Sequence, residues 1–239
     1  MSFEGRREEM HGHSGWLIPL VFVGAILILS GLFLGWYLRP GPRASAPTGK
    51  SDMVRLSVRG QPFAIPANYI ESAGARAGGD QDQLALAALF PSWRGYSDND
   101  ARLFSANAPD SPVIRITLRA DANNLAPGDR LARIYKPYVV KPAGAAGPFG
   151  LTQYSFRKDS GYEQNDLFVG ERAGPVLLLC ERAGEELVSP NCLAVDRPLA
   201  GSLGGRKLSL SYRFKRAYLA RWREMADGVD ALVRKFETD

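Results

Sequence analysis

The feature that most constrains this chain is an uninterrupted run without charged residues, from Trp16 to Leu38. Its 23 residues would form a helix about 34 Å long, and the hydrocarbon core of a bilayer is about 30 Å thick. Trp16 stands at one end, and Trp36 and Tyr37 stand at the other, as is typical of helices that reach both membrane interfaces. The run therefore predicts one transmembrane helix over residues 16–38.

The alternative for this run is a cleaved signal peptide, because residues 44–46 read Ala-Ser-Ala, a small-x-small pattern. The apolar segment of a signal peptide has about 7–15 residues, and this run is longer. Pro47 would also follow the cut directly. We therefore expect a retained anchor.

A GxxxG pair, Gly31 and Gly35, lies within the predicted helix. Such pairs let two membrane helices approach closely, so the pair is a packing candidate and leaves a homodimer through this helix open. Glycine is also common in membrane helices for other reasons.

The rest of the chain divides by composition. Residues 1–15 form a short polar tail, and residues 39–51 form a linker rich in proline and alanine without an apolar face. Residues 52–239 are long enough for one domain with its own hydrophobic core.

The signals for membrane orientation disagree. Arg39, Arg43 and Lys50 follow the apolar run, which favours a cytoplasmic domain. Long domains, however, cross the membrane largely regardless of charge, and one N-terminal span followed by one domain is typical of exported bacterial proteins. We predict a single-pass protein of the inner membrane with its C-terminal domain in the periplasm.

The cysteines support this location. Cys180 and Cys192 are the only two, and their short separation favours a disulfide in an oxidising compartment. Such a bond would contribute about 3 kcal/mol by closing its loop. Two buried free thiols are the alternative.

Apolar and polar residues alternate as in strands over most of the domain. The predicted strands are 53–60, 62–66, 113–120, 151–156, 162–171, 175–182 and 207–214. Residues 126–140 favour a helix that Pro137 ends or kinks, and residues 81–90 fit helix and strand equally. These segments predict an α+β domain, with a mainly antiparallel sheet of six or seven strands and two or three helices.

The strongest helical pattern is at the C-terminus, where apolar residues recur every three or four positions. This stripe consists of Leu219, Trp222, Met225, Val229, Leu232 and Phe236. We expect an amphipathic helix that packs on the sheet; a partner-binding or membrane-surface helix is the alternative.

Several chemistries are excluded by what the domain lacks. The two histidines, His11 and His13, precede the apolar run, so the domain has no histidine for a Ser-His-Asp or Cys-His system. No CxxC pair, phosphate-binding loop or EF-hand pattern is present, and the glycine-rich residues 201–207 favour a turn between strands. We predict no catalytic residues, no metal site and no cofactor.

A glycosidase needs only two carboxylates. Asp159, Glu163, Asp166 and Glu171 are candidates, but no spacing singles out a pair. Residues 212–223 interleave basic and aromatic residues, as nucleic-acid-binding segments also do, but strand and helix geometry explains them as solvated faces that expose Arg213 and Lys215. We expect no nucleic-acid partner.

Two segments carry a resemblance to a family. "VRLSVRGQPFAIPANYI" (54–70), and Cys192 followed by "LSLSYRF" and "KRAYLARWREMADGVDALVRKF", resemble single-span membrane-anchored proteins of Gram-negative bacteria with a small exported α+β domain. The resemblance implies the topology and no activity.

The function predicted from the sequence is therefore non-enzymatic. The domain would bind another envelope protein or act as an accessory subunit of a membrane complex. A carboxylate-dependent cell-wall or glycan-active enzyme, and a ligand or stress sensor, are the alternatives.

Overall fold

The structure, a computed structural model, describes residues 17–37, 46–120, 125–184, 187–199 and 208–238. The chain divides into two compact units, Met1–Arg43 and Ala44–Asp239. The helices are α1 (Leu17–Tyr37), α2 (Ala101–Ser105), α3 (Pro127–Arg130) and α4 (Trp222–Phe236). The strands are β1 (Met53–Val58), β2 (Gln61–Pro66), β3 (Gly79–Gln81), β4 (Gln83–Leu89), β5 (Val113–Ala120), β6 (Ala145–Ala146), β7 (Thr152–Ser155), β8 (Asn165–Glu171), β9 (Pro175–Glu181), β10 (Asn191–Pro198) and β11 (Leu208–Lys215).

Short helical turns join these elements. One π turn covers Leu131–Tyr135, and 3-10 turns cover Ala67–Tyr69, Ala75–Ala77, Asp98–Asp100, Lys136–Tyr138, Pro148–Gly150 and Arg216–Arg221.

The first unit contains α1, a helix of 21 residues without a charged side chain. Its large apolar side chains are exposed; Phe22, for example, is 70% exposed. Among the residues that the structure describes, no helix is both long enough and apolar enough to cross a membrane, so the transmembrane helix predicted over 16–38 is unsupported.

Some predicted features lie outside the described residues. These are the polar tail with His11 and His13, the first part of the linker up to residue 45, and the glycine-rich turn at 201–207. The described end of the linker, from residue 46, belongs to the second unit, where Nη2 of Arg76 donates a hydrogen bond to the carbonyl of Ala46 (2.6 Å).

The second unit contains two sheets. The larger has eight strands in the order β4-β5-β11-β10-β9-β8-β7-β6, and all its neighbours are antiparallel. The smaller has the order β2-β1-β3, with β1 and β3 parallel. The predicted α+β class with a mainly antiparallel sheet is confirmed. The predicted six or seven strands were too few, since eleven lie within the described segments.

The predicted strands match the observed ones closely where apolar and polar residues alternate. The segment predicted over 113–120 is β5. The ambiguous residues 81–90 contain strand β4. The helix predicted over 126–140 begins at Pro127 and ends at Tyr138 as π and 3-10 turns, since Pro137 has no N–H to continue it.

The C-terminal stripe lies in the core. All six of its residues are at most 5% exposed, and they pack in one cluster with the inward residues of β4, β5, β11 and the small sheet. Trp222 lies against Gly170 of β8, where an added Cβ would meet the indole at 2.4 Å. Helix α4 therefore covers one face of the large sheet.

Cys180 and Cys192 form a disulfide, which the cysteine count favoured over free thiols. They face each other across β9 and β10, with 4.0 Å between their Cα atoms, and both are fully buried.

Candidate functional site

In the described parts of the chain, the face of the large sheet opposite α4 is covered at its two ends and not between them. At the β4 end, Phe104 of α2 packs on Ala87, Leu89 and Val113. At the β7–β9 end, the helical segment Pro127–Tyr138 covers a second apolar cluster, which contains Tyr135, Val139, Tyr154, Phe156, Leu167, Val169 and Leu177. Between these ends, polar side chains of β5, β11 and β10 face solvent. We call this central region the open sheet face.

Arginines dominate the open sheet face. Arg115 and Arg119 are exposed on β5, and Arg213 is exposed on β11. Arg115 and Arg213 stand directly opposite each other in the register of the two strands. Their neighbours in the same row, Ala87 and Leu193, are apolar. Because like charges placed directly opposite each other destabilise a sheet, stability does not explain this pair.

Two of the three arginines are neutralised within the chain. Nε of Arg115 is 3.0 Å from Oε1 of Glu71, and Arg119 forms an ion pair with Asp196. Arg213 makes no ion pair or side-chain hydrogen bond with any part of the chain that the structure describes. Within the described segments, it is therefore the cation of this face that is left open to a ligand.

Two pockets meet at Arg115 and Arg213, which line both. The first has a volume of about 350 Å³ and runs along the sheet past Thr117 and Ser211 toward Arg119. The second has a volume of about 320 Å³ and lies between the end of α2 and strands β5 and β11. The two pockets make the open sheet face concave.

Lys215 lies in the wall of the second pocket and is only 6% exposed. Its Nζ donates hydrogen bonds to Oδ1 of Asn107 (2.6 Å) and to Oγ and the carbonyl of Ser189 (2.7 and 3.3 Å). These acceptors are all neutral. Burial lowers the pKa of Lys215, while Glu181 acts in the opposite direction and Arg115 acts in the same one. Strand alternation predicted Lys215 exposed beside Arg213; that was wrong, because Asn107 and Ser189 cover it.

Two other clusters of charge are internal ion pairs. Asp166 is 6% exposed and accepts from Arg182 and Arg216, each at 3.0 Å. Asp230 of α4 pairs with Arg172 (2.6 Å) and with Arg197 of β10. Both carboxylates tie loops or α4 to the sheet.

The hydroxyl of Tyr212 is buried near Asp230 and has no hydrogen-bond partner among the described atoms. Burial raises the pKa of Tyr212, and Arg197 opposes that rise.

The candidate carboxylates for a glycosidase do not form an evident pair. Asp166 is held between two arginines, and Asp159 is an exposed ion-pair partner of Arg157 (3.4 Å). Glu171 is exposed, and Oε2 of Glu163 is buried without a hydrogen bond from the described residues. Within the same residues, no group of three or more His, Cys, Asp or Glu side chains could hold a metal ion.

The predicted packing pair Gly31 and Gly35 lies on α1, where a Cβ added at either position would meet no described atom within 4 Å. The homodimer through this pair stays a prediction.

Sequence reasoning did not single out Arg115, Arg119 and Arg213 as a site. Their signal was present, since each stands at an outward position of an alternating strand. What the sequence did not show is that β5 and β11 are neighbours.

No protein-family model matches the chain, and no curated protein matches it. The resemblance to single-span proteins of Gram-negative bacteria therefore stays a prediction. Among solved structures, the fold is similar to Smlt3025, an immunity protein of the Stenotrophomonas maltophilia type IV secretion system. The TM-score is 0.54 at 17% identity, over 84% of this chain and 100% of that chain. A second structure, the iron-regulated outer membrane lipoprotein FrpD of Neisseria meningitidis, has a TM-score of 0.47 at 14% identity, over 82% of this chain and 98% of that chain.

Proposed function

We propose that this protein is a non-enzymatic protein of the bacterial envelope, whose second unit binds a protein partner through the open sheet face. The observation that carries the proposal is Arg213, an exposed cation that the described residues leave without an ion pair, at the meeting point of two pockets. Protein-binding surfaces have a polar rim and are enriched in arginine, which is also common among the residues that carry most of the binding energy. The fold shared with Smlt3025, an immunity protein of a type IV secretion system, is consistent with a role of this kind.

The alternative functions have less support. Asp166, one of the candidate carboxylates for an enzyme, is 6% exposed and is held in ion pairs with Arg182 and Arg216, so it is not presented to a substrate. A sensor for an apolar ligand needs a deep apolar pocket, whereas the two pockets of the open sheet face are lined with arginine, serine and threonine.

We further propose that α1 holds the protein at the inner membrane in a single pass, with the second unit in the periplasm. The support is the absence of charge over Leu17–Tyr37 and the disulfide, a bond that persists in oxidising compartments. A C-terminal β-lactamase fusion tests this arrangement. We expect ampicillin resistance; sensitivity of cells that express the fusion would contradict it.

The binding function is tested by photo-crosslinking in cells. A photoreactive phenylalanine analogue replaces Thr117, in the centre of the open sheet face, or Ala231, which is exposed on α4 on the other side of the sheet. We expect one discrete heteromeric adduct from position 117 and none of the same mass from position 231. Equal labelling from both positions, or no adduct from position 117, would refute the proposal.

A further inference from the structure

Two of the three arginines of the open sheet face, but not Arg213, have a carboxylate partner in the described residues. Arg115 has the carboxylate of Glu71, and Arg119 has the carboxylate of Asp196. Arg213 has neither an acidic neighbour in the register nor an ion pair within the described residues. Of these three arginines, Arg213 is therefore the one to which the described residues supply no carboxylate.

The second pocket strengthens this imbalance. Three cations line it, Arg115, Arg213 and Lys215, and its described lining contains no aspartate or glutamate. Lys215 cannot reach out to neutralise a ligand, because neutral oxygens occupy its ammonium group. It contributes a fixed positive charge at the wall. Arg115 uses only Nε toward Glu71, so its other N–H groups are available.

We propose, building on the function above, that this pocket receives an aspartate or glutamate side chain of the partner protein, with Arg213 as its primary ligand and Arg115 as the second. A planar guanidinium binds a carboxylate through two parallel hydrogen bonds. The bound carboxylate would also neutralise the opposed pair Arg115 and Arg213. In the free protein the two opposed arginines repel each other, and in the complex the bound carboxylate removes this repulsion.

Because Arg213 is unfavourable for folding but needed for binding, Arg213→Leu should have opposite effects on stability and on binding. Leucine fits the row, where Ala87 and Leu193 are the neighbours, and it removes the repulsion with Arg115. The variant should therefore be at least as resistant to urea as the wild type while it loses binding. If the role of Arg213 were purely structural, the variant would be less stable than the wild type as well.

The test uses the full chain in neutral detergent and a deca-glutamate peptide as the probe, with deca-glutamine as the uncharged comparison. Arg55→Glu is the matched control, since Arg55 is exposed and unpaired among the described residues but lies on β1 of the other sheet. We expect the peptide to shift the backbone amide resonances of 113–117 and 211–215 saturably. Arg213→Glu and Arg213→Leu should weaken binding about tenfold or more, and Arg55→Glu should weaken it less than about twofold.

Three outcomes would overturn the inference: equal loss in Arg213→Glu and Arg55→Glu, binding of deca-glutamine, or displacement of the peptide by inorganic phosphate at lower concentration than by acetate. The same variants in the Thr117 crosslinking experiment separate this inference from the proposed function. An adduct that forms undiminished in Arg213→Glu would reject the carboxylate site and leave the binding function standing. No adduct in the wild type would reject the function.

Discussion

Replacing Gly228 with alanine should destabilise this protein, although alanine is the better helix former. Gly228 lies within α4, and in an exposed helix the replacement of glycine by alanine stabilises by about 1 kcal/mol. Here an added Cβ would lie 2.0 Å from Cζ2 and 2.2 Å from Cε2 of Trp93. The indole or the helix would have to move by about 1.5 Å to restore an ordinary carbon–carbon contact.

Trp93 is not free to make that movement. Its amide donates to the carbonyl of Leu89 (2.6 Å), and its own carbonyl accepts from the hydroxyl of Tyr69 (2.9 Å). Its ring packs edge-on against Phe90, with 5.7 Å between the ring centroids. Overpacking a rigid site costs about 1–3 kcal/mol, and this overlap is severe. After the gain in helix propensity, the net loss should be about 1–2 kcal/mol.

Urea denaturation of the full chain in neutral detergent measures this loss as a lower midpoint at an unchanged slope. Ala231→Gly, on the exposed side of α4, reports helix propensity alone and should cost about 1 kcal/mol. In a Trp93→Ala background, Gly228→Ala should become stabilising, because the clash is gone. If Gly228→Ala stabilises the chain with Trp93 in place, the reasoning from the contact is refuted.

Three further predictions concern stability. Replacing Cys180 and Cys192 together with serine should cost about 3 kcal/mol or more in urea titrations, through the lost loop closure and two buried hydroxyls; an unchanged midpoint would show that the bond does not form in solution. Asp230→Ala should cost about 2–3 kcal/mol, because it leaves the largely buried guanidinium of Arg197 without this ion pair, while Arg172 keeps its ion pair with Asp227. Asp227→Ala, at a side chain that is 63% exposed, should cost less than about 1 kcal/mol, and equal losses would contradict this difference. Burial raises the pKa of Glu237, so ionising this carboxyl group destabilises the folded chain when the pH rises above the ordinary pKa of glutamate. Glu237→Gln should therefore stabilise the protein at pH 7 by less than about 1 kcal/mol, and this gain should vanish near pH 4. A gain that is equal at both pH values would exclude this cause.

The parts of the fold that were predictable are those with a regular local pattern. Strand β5 was predicted residue for residue, because Ile114, Ile116 and Leu118 alternate with polar neighbours. The C-terminal stripe had the spacing of a helix, and its residues lie in the core. Both signals are local, since the period of buried residues follows directly from strand and helix geometry.

Strand β10 was missed because its pattern is irregular. The register of β10 with β11 shifts between Ala194 and Arg197, and Pro198 ends the strand. This shift breaks the alternation that marks a strand, and it accompanies the placing of Asp196 beside Arg119. A bulge of this kind depends on the partner strand, so one sequence segment does not reveal it.

The open sheet face was not predictable for a related reason. Strands β5 and β11 are far apart in sequence, and only the sheet order places Arg115 opposite Arg213. The burial of Lys215 likewise depends on Asn107 and Ser189, which come from two separate connections. Local patterns showed which side chains point outward but not which of them meet.

The most direct test of the binding function is the affinity of the full chain for the partner crosslinked from position 117, measured by biolayer interferometry in neutral detergent. The comparison is between the wild type, Arg213→Glu and Arg55→Glu. If the open sheet face is the binding site, Arg213→Glu should weaken binding about tenfold or more, and Arg55→Glu should stay within about twofold of the wild type. Equal affinities for all three proteins would show that the partner binds elsewhere.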